Sequence, residues 1–341
     1  SCTVLIDGGW GSGKSSLAID MLNWAAPYGG GGSLLDLENK GAFDIAFGML
    51  NPMTLWLPGH VRMKTCVSIE DAQAELTDAA DRCAKLNEDL ERDSQVPMIH
   101  IVDSLSGTSS EETQKVVDKQ GYSDRGHAGR SEALLWSAFL KDHQRKLYSL
   151  PMVTAIINHM KERTKQIGPR SVNESYNPGG VAQNYHTTVH LRCFLKKRFT
   201  SDAVDGKSYD EIRIKCMKNS RGPTGKSTIV RKYSQRNEDG TTRFWWDWGL
   251  NTADFIDGLS SKHPAKEVVS ITGASGGKGS CKRLGMKDAE LSDIGDAVMQ
   301  DPQLFDEVAA ASRWFRLQEF ARLTDEEYQE LCALAEENRK E

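Results

Sequence analysis

The residues most able to do chemistry sit near the start of the chain, in Gly8-Gly9-Trp10-Gly11-Ser12-Gly13-Lys14-Ser15. Their spacing matches G-x-x-x-x-G-K-[ST] in full, the pattern of a loop that cradles nucleotide phosphates where a strand runs into a helix. Glycines let successive backbone N–H groups curl around the β- and γ-phosphates, and the helix N-terminus adds positive potential. Lys14 brings a charge to those phosphates, Ser15 places a hydroxyl on Mg²⁺, and Ser16 completes the set in the first helical turn. ATP with Mg²⁺ is the expected ligand. A lookalike, Gly273-Ala274-Ser275-Gly276-Gly277-Lys278-Gly279-Ser280, lacks the first glycine at the right offset and has Gly after its lysine, so it reads as linker.

Three further residues fit a hydrolytic site. Asp103 ends the apolar run 98–102 and suits the group that holds the Mg²⁺ hydration shell. Glu38, at the tip of the run 33–38, is placed to orient and deprotonate an attacking water. His159 follows the apolar run 152–157 and precedes a basic stretch. A ring bonded to the γ-phosphate there would let hydrolysis move that stretch, an order–disorder switch. Phe43 or Phe47 either packs on adenine or joins the core. Trp245, Trp246 and Trp248 offer stacking rings, yet 244–248 alternates like a strand beside a core, and core packing is the expectation.

These residues need elements that bring them together. Residues 2–6 are apolar and β-branched and run into Asp7-Gly8-Gly9, a buried strand ending in a glycine turn. Residues 15–26 have helical spacing, with Leu17, Ala18, Met21, Leu22 and Ala25 on one side, stopped by Pro27. Ser68, with Asp71 three residues on, predicts a capped helix through about Arg92. Residues 98–102 and 152–157 read as buried parallel strands, 131–150 as an amphipathic helix, and 189–194, 211–217 and 227–233 as further strands. From 161 to 180 the apolar pattern vanishes, predicting a polar, basic loop punctuated by Gly and Pro. Alternating strands and helices predict an α/β domain around a mostly parallel sheet over 1–259. Residues 260–284, rich in Ser, Gly and Lys, read as a linker, and 285–341 as a small acidic helical region.

Composition narrows the class. No apolar run approaches the ~18 residues that cross a bilayer, so no membrane association is expected. Seven cysteines, odd in number and never spaced C-x-x-C, exclude a disulfide framework and point to a reducing cytoplasm. The net charge of −5 hides an asymmetry: residues 159–235 hold 16 Lys/Arg against 6 Asp/Glu, and 285–341 hold 6 against 15. A basic block in an acidic chain suits a phosphate-rich partner. In 161–180, Lys161, Arg163, Lys165 and Arg170 are interleaved with Asn173, Tyr176 and Asn177. Such cations neutralise backbone phosphates, and Tyr176 is placed to stack on a base. A second loop, 111–130, carries Lys119, Arg125, His127 and Arg130. Arg192, Lys196, Lys197 and Arg198 are either a DNA contact or a solvated strand-end cluster.

Together these landmarks resemble the RecA-type recombinases, and within them the phage UvsX-like branch, over roughly residues 1–260. The likeness is carried by Gly8–Ser15, by Asp36-Leu37-Glu38 with Glu38 24 residues after Lys14, and by Ile101-Val102-Asp103-Ser104-Leu105. Ile157-Asn158-His159, Pro178-Gly179-Gly180, Lys218-Asn219-Ser220-Arg221 and Trp248-Gly249-Leu250 add to it. It implies a RecA-like P-loop NTPase core with Glu38 catalytic, Asp103 in the Walker-B role and His159 sensing the γ-phosphate. It implies that the loop closing at Gly179 and Gly180 binds DNA, and that Lys218 and Arg221 reach the nucleotide of a neighbouring subunit. Family members carry an N-terminal helix and strand that dock on the next protomer. Here the first strand begins at residue 2, so a fragment or a different mode of assembly is expected.

The expected function is an ATP-dependent, single-stranded-DNA-binding recombinase that promotes strand exchange in DNA recombination and repair. Its partners would be single-stranded DNA, duplex DNA during exchange, further copies in a filament or ring, and a single-strand-binding protein and loader. The resemblance puts it in a bacterial host's cytoplasm if viral. A replicative helicase on the same fold and an ATP-binding annealing protein with little turnover are the alternatives. A small-molecule kinase is disfavoured by the basic block.

Overall fold

The computed structural model describes residues 2–38, 42–50, 61–91, 94–107, 109–120, 125–167, 170–176, 182–200, 208–222, 224–237, 240–257, 266, 268–301, 303–305 and 307–308, with backbone alone within 116–131 and 162–182. The chain divides into one unit ending at Trp246 and another beginning at Asp247.

The first unit is α/β, built on a nine-stranded sheet of order β11-β10-β9-β8-β1-β5-β4-β2-β3. In chain order these strands are β1 (Cys2–Gly8), β2 (Gly31–Asp36), β3 (Val61–Thr65), β4 (Met98–Asp103) and β5 (Met152–His159), then β8 (Val189–Phe199), β9 (Ser208–Asn219), β10 (Ser227–Arg236) and β11 (Thr242–Trp246). Five pairings, from β3 across to β8, are parallel, and the three among β8–β11 are antiparallel. Helices α1 (Lys14–Ala25), α2 (Ala42–Met49), α3 (Ile69–Leu86), α4 (Glu111–Gln120), α5 (Arg125–Leu147) and α6 (Ala182–His186) connect them.

Period-two alternation sends neighbouring strand residues to opposite faces, and both faces are covered, which explains the unbroken apolar runs. Leu5, Leu35, Val102 and Ile156 pack with Ile69, Ala72 and Leu76 of α3 and Trp136 and Leu140 of α5. Gly32, of the other parity, lies close under Leu22 of α1. Ser68 caps α3 as predicted, its hydroxyl accepting from the Asp71 N–H at 3.1 Å, although the helix stops at Leu86. Across the antiparallel strands Phe199, Tyr209, Tyr233 and Trp245 form a row of mutually stacked or tilted rings. Trp245 thus belongs to a cross-strand ladder, while Trp246 is buried on the other face.

Two basic segments predicted as loops are regular. Residues 161–176 form an antiparallel ribbon of β6 (Lys161–Ile167) and β7 (Arg170–Tyr176), with Lys161 opposite Tyr176. A two-stranded ribbon satisfies its main chain without an apolar face, so the missing apolar alternation is no sign of irregular backbone. Residues 111–120 are helical as α4, and Arg125 and Arg130 fall in the first turns of α5. Gly179 and Gly180 lie outside the described residues, as does the helical pattern predicted beyond 308.

Two buried histidines make the first unit sensitive to acid. His100 Nδ1 lies 2.7 Å from Ser33 Oγ and His143 Nε2 lies 2.9 Å from Thr154 Oγ1. The other ring nitrogen of each is buried without a hydrogen-bond partner among the described residues. Burial pushes the His100 pKa down to about 3, and that of His143 down to about 4. Both fall below the unfolded value near 6.5, so the unfolded chain takes up these protons first and stability drops as pH falls below 6.5. Urea titrations should show a loss of roughly 3–4 kcal/mol between pH 7 and pH 5 from the two rings together. A flat profile over that range would contradict their burial as neutral groups.

The first unit ends thirteen residues before the boundary predicted at 259, because the helix α7 (Trp248–Asp257) of the second unit packs with the elements after it. The predicted linker is partly structured. Strands β12 (Ile271–Ser275) and β13 (Lys278–Cys281) join β14 (Met286–Glu290) in an antiparallel sheet, followed by helix α8 (Leu291–Gln300). Gly276 and Gly277, which gave the stretch its linker composition, have positive φ between β12 and β13. Ala253, Ile256, Ile271, Cys281, Ile294 and Val298 share the core of this unit. Its helices cross at glycine: a Cβ on Gly295 would stand 1.8 Å from the carbonyl oxygen of Gly249. Gly295→Ala should therefore destabilise this unit by about 1–3 kcal/mol, read as earlier proteolytic cleavage after residue 246.

Candidate functional site

The carboxyl ends of β1, β2, β4 and β5 converge on one cleft, the crevice where open α/β sheets bind ligands. Register fixes this: Gly8 is level with His159, and Asp36 with Asp103. The cleft, of ≈ 280 Å³, is lined by Trp10–Ser16, Asp36, Glu38, Ala42, Ile45, Asp103, His159, Arg198 and Lys232.

The turn from Gly8 to Ser15 joins β1 to α1. Gly13 caps α1 with φ +81°, a left-handed conformation that favours glycine, and a Cβ there would also crowd the side chains of Ile212 and Trp246. It supplies no side-chain cap, leaving the first-turn N–H groups without intrahelical partners where Lys14, Ser15 and Ser16 line the cleft. Lys14 folds back on the turn, its Nζ donating to the Gly9 carbonyl at 2.7 Å, and Ser12 Oγ donates to the same oxygen at 2.8 Å. Burial lowers the Lys14 pKa, opposed by Cys193, Asp103, Glu38 and Asp7. Trp10 is 91% exposed at the mouth.

Beneath the turn, Asp7 is wholly buried. Arg192 holds it with two bonds, Nε to Oδ1 at 2.8 Å and Nη2 to Oδ2 at 2.7 Å, and His190 Nε2 lies 2.8 Å from Oδ2. Arg192, weighed above as a DNA contact, is thus a support for the residue that precedes Gly8.

On the other flank Ser15 hydrogen-bonds to Asp103, whose pKa burial raises while that bond opposes the rise. Glu38 is set by its own N–H donating to Asp36 Oδ1 at 3.1 Å. Its Oε1 accepts from Ser104 Oγ and lies 3.0 Å from His159 Nε2. His159 in turn is fixed by its N–H donating to Asn158 Oδ1 at 2.9 Å, and Asn158 Nδ2 donates to Gln183 Oε1 at 2.8 Å. Gln183 is on α6, so this chain of bonds ties the two ends of the β6–β7 ribbon. Among the described residues no group of three His, Cys, Asp or Glu side chains could hold a metal. A cation here would rest on Ser15 and Asp103 plus its ligand's oxygens and water, the mode that suits Mg²⁺.

Other predicted positions lie elsewhere. Phe47 is 65% exposed and neither it nor Phe43 lines the cleft; Ala42 and Ile45 of the same helix do. Lys218 is level with His190, which is level with Leu5, three residues before Gly8 and so about 10 Å down the sheet. Its Nζ donates to the carbonyls of Asn184, Tyr185 and Thr187 and closes the end of α6, rather than projecting freely. Arg221 stands at that same end, close enough to Cys2 to lower its thiol pKa against the larger effect of burial. Neither reaches the cleft of its own chain. Lys161 is exposed at the base of the ribbon. The side chains of Arg163, Lys165, Arg170, Tyr176, Arg125 and Arg130 lie outside the described set.

Local sequence offers Arg198 as a DNA contact or part of a solvated cluster and not as a cleft residue, and it does not single out Lys232, the Ser104 hydroxyl or the Asp7 support. Arg198 and Lys232 arrive through strand register, which no local motif encodes.

No family model matches this chain, and no curated protein matches it.

Proposed function

We propose that the chain is an ATP-dependent, single-stranded-DNA-binding recombinase with a RecA-like P-loop core. The observation that carries this is the pairing of Glu38 with His159 in the cleft of Lys14, Ser15 and Asp103, at the foot of a basic ribbon. In this reading Gly8–Ser16 binds the phosphates through backbone N–H groups, and Lys14 leaves the Gly9 carbonyl to meet them. Ser15 and Asp103 hold Mg²⁺, which would neutralise charge on the phosphates. Glu38 takes the proton of the attacking water.

His159 couples the two sites. It cannot serve Glu38 and a γ-phosphate equally, so ATP would draw it from the carboxylate and shift the strand end from which β6 departs. Lys161, Arg163, Lys165 and Arg170 would meet DNA phosphates, and Tyr176 a base. Arg221, at the far end of the sheet, acts on the cleft of another copy, so full activity belongs to a homo-oligomer; Lys218 supports the α6 end beside it. Strand exchange further requires duplex DNA, and a single-strand-binding protein and loader fit the same role.

A salt series tests the DNA reading. Affinity for an oligo-dT strand should be higher with a non-hydrolysable ATP analogue than with ADP. It should fall steeply with salt, with a log–log slope of about −3 if four ribbon cations meet phosphates. Nucleotide-independent affinity would remove the coupling, and a slope near zero would remove the ribbon from the interface.

A further inference from the structure

A row of in-register residues crosses the antiparallel strands. Arg198 on β8 faces Asp210 on β9, Asp210 faces Lys232 on β10, and Lys232 faces Trp246 on β11. In-register neighbours share a face. That face belongs to the cleft, because Arg198 and Lys232 line it and because Trp246 and Ile212 both press on Gly13.

The row is unevenly satisfied. Arg198 takes both oxygens of Asp210, Nε to Oδ1 at 2.7 Å and Nη2 to Oδ2 at 3.2 Å. Lys232 Nζ stands 3.9 Å from Oδ2, too far for a hydrogen bond, and 5.7 Å from the Phe244 ring centroid. Burial lowers its pKa, with Asp210 opposing. An ammonium partly withdrawn from water and short of acceptors among the described residues is costly unless a ligand supplies them.

Position selects which part of a ligand. Asp103 and His159 are on strands to one side of β1, and with Glu38 they define the γ-phosphate end. Asp210 and Lys232 are on strands to the other side. A nucleotide whose β- and γ-phosphates occupy Gly8–Ser15 therefore runs its nucleoside end toward the antiparallel strands. Helix α2, which carries the cleft-lining Ala42 and Ile45, meets β11 on that side, and of the two cations there Lys232 is the one without a hydrogen bond to Asp210.

We propose that Lys232 donates to the α-phosphate of a nucleotide bound at Gly8–Ser15, with Asp210 and Arg198 as its positioning residues. This rests on the nucleotide reading above.

Calorimetric titration of the full chain with MgATP and with MgADP tests it. Lys232→Met should weaken both by about tenfold and equally, since both carry an α-phosphate. Lys232→Arg should recover most of the loss at unchanged melting temperature. Arg198→Gln, which frees Asp210 to draw Lys232 back, should weaken both nucleotides in the same sense, and it serves if the methionine variant does not fold. Unchanged affinity in these variants, or a loss confined to ATP, overturns the assignment. A wild-type chain that binds neither nucleotide overturns the nucleotide reading itself, and the assignment with it.

Discussion

Glu38→Gln is expected to cut the rate of ATP hydrolysis by about 10²–10⁴-fold while leaving nucleotide binding in place. Gln keeps the length of the side chain and an oxygen for the Ser104 hydroxyl, so the cleft retains its shape. It loses the carboxylate charge that would accept a proton and that stands 3.0 Å from His159 Nε2. The variant should therefore bind MgATP with DNA and fail to turn over. Because His159 no longer has a carboxylate to return to, the DNA-gripping state should also persist longer than in the wild type. Steady-state phosphate release and DNA dissociation rates check both parts. Turnover within a few-fold of wild type would remove Glu38 as the base.

Arg192→Met should cost about 3–5 kcal/mol of stability, the penalty for a buried charge robbed of its partner. Asp7 is wholly buried and receives two bonds from Arg192, with His190 Nε2 also 2.8 Å from the carboxylate, so the variant takes away its bidentate partner. Adding Asp7→Asn to Arg192→Met should recover a large part of the loss, because the stranded charge goes with it. Chemical denaturation of the two single variants and the double variant closes the cycle. Additive losses would mean that the pair is not coupled. The double variant should still bind nucleotide less well than wild type, since Asp7 anchors the strand end from which Gly8 departs.

Much of this was legible in the chain because the informative signals are local. Gly8–Ser15 carries its own geometric demand in Gly13, and the apolar runs ending at Gly8, Asp103 and His159 announce buried strands by composition alone. The α3 cap at Ser68 needs only a hydroxyl three residues before an acceptor-seeking N–H. What stayed hidden depends on pairing between distant segments. Arg198 and Lys232 look like any basic strand residues until β8, β9 and β10 come into register. Arg192 reads locally as either a DNA contact or part of a solvated cluster, because Asp7, its partner, is 185 residues away. Lys218 carries the right residue type for reaching a neighbour, yet α6 offers three carbonyls at close range. The 161–176 ribbon and the 271–281 hairpin lack a recognisable apolar period, since pairing there is satisfied through the main chain.

The most direct test is the rate of ATP hydrolysis by the full chain with and without single-stranded DNA at low salt, with assembly followed by light scattering. The account predicts hydrolysis that DNA stimulates, that rising salt suppresses, and that is accompanied by growing scatter. Hydrolysis indifferent to DNA at low salt would contradict it, leaving a nucleotide site whose partner is something other than a DNA strand.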